Sequence, residues 1–246
     1  MSKPDEKTAG IIIIGDEILS GKVQDSNSFY LASELRKLGV NLMRISVIPD
    51  DTKIIGSETA EFSSQYDFVF TSGGVGPTHD DVTMEGIANG FAVKLVRHPQ
   101  LEGYFRSKYG GRLNDAVLKM TEAPEGSEII DFDDMSFPLV LYKNIFIFPG
   151  IPEYLRNKFS MIKERFRSSA FHLRRLFLDA RESDIAEILN AVVAQNRDVS
   201  FGSYPILGNP EYKIILTVES KSKDSAGMAV DELLRRITGD IVVRIE

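Results

Sequence analysis

The stretch Asp67-Phe68-Val69-Phe70-Thr71-Ser72-Gly73-Gly74-Val75-Gly76-Pro77-Thr78-His79-Asp80-Asp81 decides how the chain is read. Residues 67–71 are a short apolar and aromatic run, the signature of a buried strand. Three glycines follow within four positions, and a helical pattern covers 82–90. Open α/β sheets bind ligands where a strand ends in such a loop. Glycines let the backbone approach a ligand closely, and a helix N-terminus adds a positive dipole end that favours phosphate. Ser72 and Thr78 add hydroxyls. The alternative is a plain glycine-rich turn in which Asp80 or Asp81 caps the helix. The adjoining Gly76-Pro77-Thr78 and the paired carboxylates tilt the reading towards function.

Upstream, Ile11-Ile12-Ile13-Ile14 is a continuous β-branched run, as expected of a strand buried on both faces. A helix is expected over 26–38, capped by Asp25 or Ser26 and closed by Gly39, with Leu31, Leu35 and Leu38 on one stripe. A strand over 40–48 and a helix over 52–63 come next. Strands and helices in alternation predict right-handed βαβ units and a mostly parallel sheet between helices, a three-layer α/β domain. Downstream, 139–142 and 145–148 read as a hairpin around Lys143-Asn144. Pro149-Gly150-Ile151-Pro152 then turns into a helix over 153–167, which places a first domain at 1–168. Residues 169–246 change rhythm: strands over 174–178, 199–204, 213–219 and 241–245, and helices over 183–194 and 225–237. This β-α-β-β-α-β order predicts a small α+β domain, ferredoxin-like or KH-like.

Composition narrows the function classes. The 246 residues hold 36 acids against 29 bases, a net charge of −7, and neither domain is basic, so no nucleic-acid partner is expected. Cysteine is absent, which removes thiolate nucleophiles and cysteine-ligated metals and fits a reducing, cytoplasmic setting. No run approaches the ~20 apolar residues a membrane span needs, and the first ten residues lack a signal-peptide core.

Carboxylates gather at the expected strand ends. Asp16 and Glu17 follow the isoleucine strand, Asp50 and Asp51 follow the second strand, and Asp80 and Asp81 follow the third. In a parallel sheet these ends share one edge, so the acids converge. Clustered carboxylates suit a hard divalent cation such as Mg²⁺ or Mn²⁺ that also bridges substrate phosphates. Glu17 and Asp51 read individually as solvated loop acids; Asp16, Asp50 and Asp81 read as functional. Residues 15–23 imitate a P-loop, but Asp16 stands where the first glycine belongs and Val23 where Ser or Thr would bind Mg²⁺. Ser20, Asp25 and Asn27 remain as polar positions able to line the same pocket. His79 sits inside the glycine loop, whereas His98 and His172 read as surface residues. Phe29, Tyr30, Phe132 and Phe137 read as packing aromatics.

These motifs resemble a known family. Residues 14–22 (Ile-Gly-Asp-Glu-Ile-Leu-Ser-Gly-Lys), Asp25-Ser26-Asn27, residues 73–83 and Pro149-Gly150-Ile151-Pro152-Glu153 resemble the molybdopterin-binding (MoCF biosynthesis) domain, over most of 9–166. The likeness is strongest to CinA-like proteins and the N-terminal half of eukaryotic FAD synthases. The segment 171–237, with Phe201-Gly202-Ser203-Tyr204-Pro205, resembles the region that follows in those synthases. Their FAD-forming half is a separate domain resembling PAPS reductases, with no counterpart in these 246 residues, so FAD synthesis is not expected. The resemblance implies a metal-dependent hydrolase (Mg²⁺, Mn²⁺ or Co²⁺, no organic cofactor) that splits the pyrophosphate of FAD or of a relative such as ADP-ribose or NAD. It also implies a homo-oligomer. By the same resemblance Gly73, Gly74, Gly76 and Thr78 hold phosphate, with Ser72, Ser20, Asp25 and Asn27 beside them. Asp81, Asp50 and Asp16 are catalytic, and Asp81, Asp50 and Asp80 hold the metal. Two alternatives stand: a binding protein for molybdopterin or another pterin nucleotide without turnover, and adenylyl transfer to molybdopterin. The second is disfavoured because Asp80-Asp81 replaces the family's Arg-Asp pair.

Overall fold

The computed structural model describes residues 6–110, 113–130, 137–237 and 240–246, and Phe132 lies outside them. The chain divides into two compact units, Met1–Ser168 and Ser169–Glu246.

The first unit opens with β1 (Thr8–Ile14), the one-turn α1 (Asp16–Leu19) and α2 (Asn27–Lys37). Next come β2 (Asn41–Ile48), α3 (Thr52–Gln65), β3 (Phe68–Ser72) and α4 (Thr83–Gly90). Short elements follow: β4 (Leu95–Arg97), α5 (Pro99–Tyr109), α6 (Asp115–Lys119), β5 (Glu122–Pro124) and β6 (Glu128–Ile130). The unit closes with β7 (Leu139–Tyr142), β8 (Ile145–Phe148), α7 (Pro152–Ile162) and a 3-10 turn at Lys163–Phe166. Its main sheet runs β2-β1-β3-β8-β7-β6, parallel through β2, β1, β3 and β8 and antiparallel beyond, and β4 and β5 form a separate antiparallel pair. The three-layer, mostly parallel α/β reading is correct.

Strand alternation builds the layers. Ile11 and Ile13 face a core with Leu31 and Leu35 of α2 and Phe159 of α7, while Ile12 and Ile14 face Ile55 and Phe62 of α3 and Ile87 of α4. With both faces covered, every position of the isoleucine run is buried. On the α7 face Phe166 packs edge-on against Phe70 and Phe146, with ring centres 4.9 Å and 4.8 Å away. The chain leaves β1 towards β2 on one side and returns to β3 on the other. The crossover direction therefore reverses between β1 and β3, and their carboxyl ends form the switch point of the sheet.

The second unit contains β9 (His172–Leu178), α8 (Glu182–Gln195), β10 (Ser200–Pro205), β11 (Ile214–Ser220), α9 (Lys223–Arg236) and β12 (Val242–Ile245). Its antiparallel sheet has the order β10-β11-β9-β12, the arrangement of a split βαβ sandwich. Leu176, Leu178, Leu216 and Val218 of the sheet meet Ile185 and Val192 of α8 and Leu233 of α9 in a core of their own. Among the described residues no helix is long and apolar enough to cross a membrane.

Candidate functional site

Gly73 ends β3 by donating its N–H to Phe148 O of β8 at 3.2 Å. Its φ of +115° is open to glycine, and a β-carbon there would stand 2.0 Å from Ile14 O. Gly74, at φ +62°, crowds the Thr83 hydroxyl in the same way, at 2.4 Å. Thr83 locks the turn: its hydroxyl donates to Gly73 O at 2.8 Å and its N–H to Gly74 O at 3.0 Å. The loop is thus bolted to the ends of β1 and β8 and to the first turn of α4. Two N–H groups at the ends of the loop are already engaged within the protein. Gly73 belongs to the sheet ladder, and the Thr78 N–H donates to Asp81 Oδ2 at 2.8 Å. The N–H groups of Gly74, Val75 and Gly76, between those two anchors, remain as the cradle.

The acids do share one edge. Asp50 Oδ2 accepts the Asp16 N–H at 2.9 Å, which ties the end of β2 to the start of α1. Burial pushes the Asp50 carboxyl above the usual carboxylate range. The charges of Asp16, Glu17 and Asp80 push the same way, against the Asp16 N–H bond. Asp81 borders the main cavity and shares the Thr78 hydroxyl with Asp80. Asp80 points outward, and its hydrogen bond from Thr78 is the foremost cause that lowers its carboxyl's pKa. Neither acid caps α4, whose N-cap position is Val82.

Other predicted positions divide by surroundings. Asn27, only 6% exposed, donates its amide to Gly150 O at 2.7 Å and Ser72 Oγ at 3.0 Å, pinning the β8–α7 turn to the end of β3. Its own Oδ1 is buried with no hydrogen-bond partner. Asp25 accepts the N–H groups of Asn27 and Ser28 at 2.8 and 3.1 Å and so caps α2. Both residues border a recess of about 60 Å³ rather than the main cavity. Ser20 is exposed and bonds Glu17 O. Asp51 caps α3, as an ordinary loop acid does. His79 is almost wholly exposed, and His172 is exposed, whereas His98 is half-buried at the start of α5.

The main cavity, about 580 Å³, reveals what the sequence reading missed. Glu17, read as solvated, lines it together with the glycine loop, Asp81 and residues 149–152. Beyond the loop lies an apolar slot of Phe105 and Tyr109 from α5, Met120, Phe137, and Tyr154 from α7, with Lys108 and Lys158. Phe137 is therefore a wall of the cavity, while Tyr30 packs on Phe159 and Phe29 is exposed. Residues 91–138 carry few periodic signals, and only the aromatic spacing Phe105/Tyr109 on one face of a helix hints at the slot.

The acids offer hard oxygen donors of the kind Mg²⁺ and Mn²⁺ take. Among the described residues no three His, Asp or Glu side chains are grouped to enclose an ion. Asp50, Asp80 and Asp81 thus do not form a closed shell. A cation there would have to take most of its ligands from water and substrate phosphate.

Fold and site define a three-layer α/β protein with a glycine-loop pocket at its sheet's switch point, followed in the chain by a ferredoxin-like unit. Residues 10–168 match the family model "probable molybdopterin binding domain", and the chain belongs to that family. Residues 170–246 match the model "FAD synthase, middle domain". A protein of Archaeoglobus fulgidus is 38% identical over 90% of this chain and 94% of its own length. The probable FAD synthase of Caenorhabditis elegans is 35% identical over 97% of this chain, which spans only 51% of that relative. Among solved structures, CinA of Thermoplasma acidophilum, of unknown function, matches 65% of this chain and 99% of its own at 28% identity, with a TM-score of 0.60.

Proposed function

We propose that the cavity binds a dinucleotide and hydrolyses its pyrophosphate bond, with FAD as the foremost substrate and FMN and AMP as products. The observation that carries this reading is that one cavity is lined by a glycine loop, the carboxylates Glu17 and Asp81, and a set of aromatic side chains. The likeness of the whole chain to half of a probable FAD synthase supports a flavin nucleotide as ligand.

The N–H groups of Gly74, Val75 and Gly76 bind the phosphate oxygens and stabilise charge developing on them as water adds to phosphorus and the bridging P–O bond breaks. Asp81, oriented by Thr78, takes up the proton of the attacking water at the carboxylate oxygen that Thr78 leaves free. A divalent ion would be held at Asp50 with water and substrate phosphate completing its coordination, and would supply charge neutralisation and a lowered water pKa there.

The test is incubation with FAD and Mg²⁺, Mn²⁺ or Co²⁺, followed by chromatography for FMN and AMP. Wild type is expected to form both products, and Asp81→Ala to lose on the order of 10²-fold in rate. If neither protein yields product from FAD, NAD or ADP-ribose, the hydrolase reading falls. Ligand-dependent thermal stabilisation without product would then favour a flavin- or pterin-nucleotide binding protein.

A further inference from the structure

One lysine grips the glycine loop from outside it. Lys119 ends α6, and its ammonium donates to the Thr78 carbonyl oxygen. The side chain also borders a recess of about 70 Å³ that shares Gly76, Asp81, Met120 and Phe137 with the main cavity. The two lysines of the main cavity stand against rings instead. Lys108 Nζ bonds Tyr104 Oη at 3.0 Å, and Lys158 Nζ lies 4.9 Å from the centre of the Phe137 ring.

Thr78 is thereby engaged at every polar atom. Its N–H and hydroxyl donate to Asp81 Oδ2 at 2.8 and 2.6 Å, the same hydroxyl meets Asp80 Oδ1 at 2.5 Å, and its carbonyl accepts from Lys119. Two carboxylates thus crowd one hydroxyl proton, and Lys119 brings the compensating charge. An ammonium has three donors, of which the Thr78 carbonyl takes one. Among the described residues the other two have no protein partner, and they sit beside Gly76 and Asp81. A pyrophosphate brings two phosphoryl groups to this place. The N–H groups of Gly74, Val75 and Gly76 lie on three consecutive residues and serve one of them. The other, set near Asp81, adds like charge to like unless its donor is itself a cation.

We propose that Lys119 is a further substrate-binding residue of this cavity, taking the second phosphoryl group of a diphosphate on the two donors that Thr78 leaves free. This rests on the dinucleotide reading of the cavity and adds where the second phosphate goes.

ADP and AMP share every group except that phosphate. Their binding to the intact chain is measured by titration calorimetry at one fixed Mg²⁺ concentration. Wild type is expected to prefer ADP by about tenfold or more, the effect of one charge-assisted hydrogen bond. Lys119→Met is expected to lose about that factor for ADP and nothing for AMP, and Lys119→Arg to recover part of it. A lysine that only props the Thr78 carbonyl would, on removal, weaken both nucleotides alike. Melting temperatures are recorded for each variant, and the wild-type comparison needs no variant at all. Equal binding of ADP and AMP by wild type overturns the proposal, as does a folded Lys119→Met that keeps the ADP preference or loses both affinities together. Binding of neither nucleotide overturns the nucleotide reading of the cavity and the proposal with it. A Lys119-dependent ADP preference without FAD cleavage keeps the phosphate site and removes the reaction; Asp81-dependent cleavage with equal ADP and AMP binding does the reverse.

Discussion

Gly73 shows how one residue couples sheet to site. Its N–H completes the ladder to β8, its carbonyl receives the Thr83 hydroxyl, and its α-carbon lies 3.4 Å from the position a Gly150 β-carbon would take. Gly73→Ala forces a methyl against Ile14 O and holds alanine at φ +115°. The expected loss exceeds about 2 kcal/mol, above the strain cost of an ordinary positive-φ residue because the obstacle is backbone that cannot move aside. A urea melt measures it, and a loss of a few tenths would show that the β1 end yields. At the same scale, the gathering of the acids was legible because carboxylates directly after apolar runs must lie on one sheet edge. Which of them enters the cavity was not legible. Glu17 and Asp16 are adjacent in sequence, and only the one-turn helix α1 sends Glu17 to the pocket.

At the scale of elements, the long strands and helices could be read because β-branched runs and leucine stripes repeat over many residues. The helix 26–38, for example, stands as Asn27–Lys37. Among the described residues between 91 and 138 the strands are three residues long, too short for a periodicity to announce them. Phe105 and Tyr109 come from α5 and Met120 from the end of α6 in the same stretch, which is why the glycine loop could be found in the sequence and the slot could not. The start of the β1–β3 pairing has its own latch. Asp67 Oδ2 accepts the Thr8 N–H and hydroxyl, each at 2.9 Å, and Oδ1 accepts Lys7 Nζ at 3.2 Å. Burial pushes the Asp67 carboxyl up, but these bonds outweigh it and hold the group below its usual 3.8. A lowered folded pKa stabilises fully above the unfolded value and is lost as pH falls through the folded one. Asp67→Asn is therefore expected to cost about 1 kcal/mol near pH 7. The gap should close as urea melts are moved from pH 5.5 to below 3.8. A difference that stays constant with pH would assign the effect to packing rather than charge.

Across the whole molecule, the two units carry separate cores, and every residue assigned to the site belongs to the first. Cradle, acidic rim and slot all come from loops at the carboxyl edge of β1, β2, β3 and β8 or from the segments that follow them. A sheet covered by helices on both faces meets the usual condition for a domain that folds alone. A fragment of residues 1–168 is accordingly expected to melt cooperatively and to keep FMN affinity and FAD cleavage within roughly twofold of the intact chain. Because ligand binds only the folded state, FMN at ~100 times its Kd should stabilise fragment and full chain alike, by about 2.7 kcal/mol. Parallel melts with and without FMN provide the comparison. A fragment that folds but neither binds nor cleaves would place part of the active machinery in residues 169–246, whose own core would then serve a site rather than only itself.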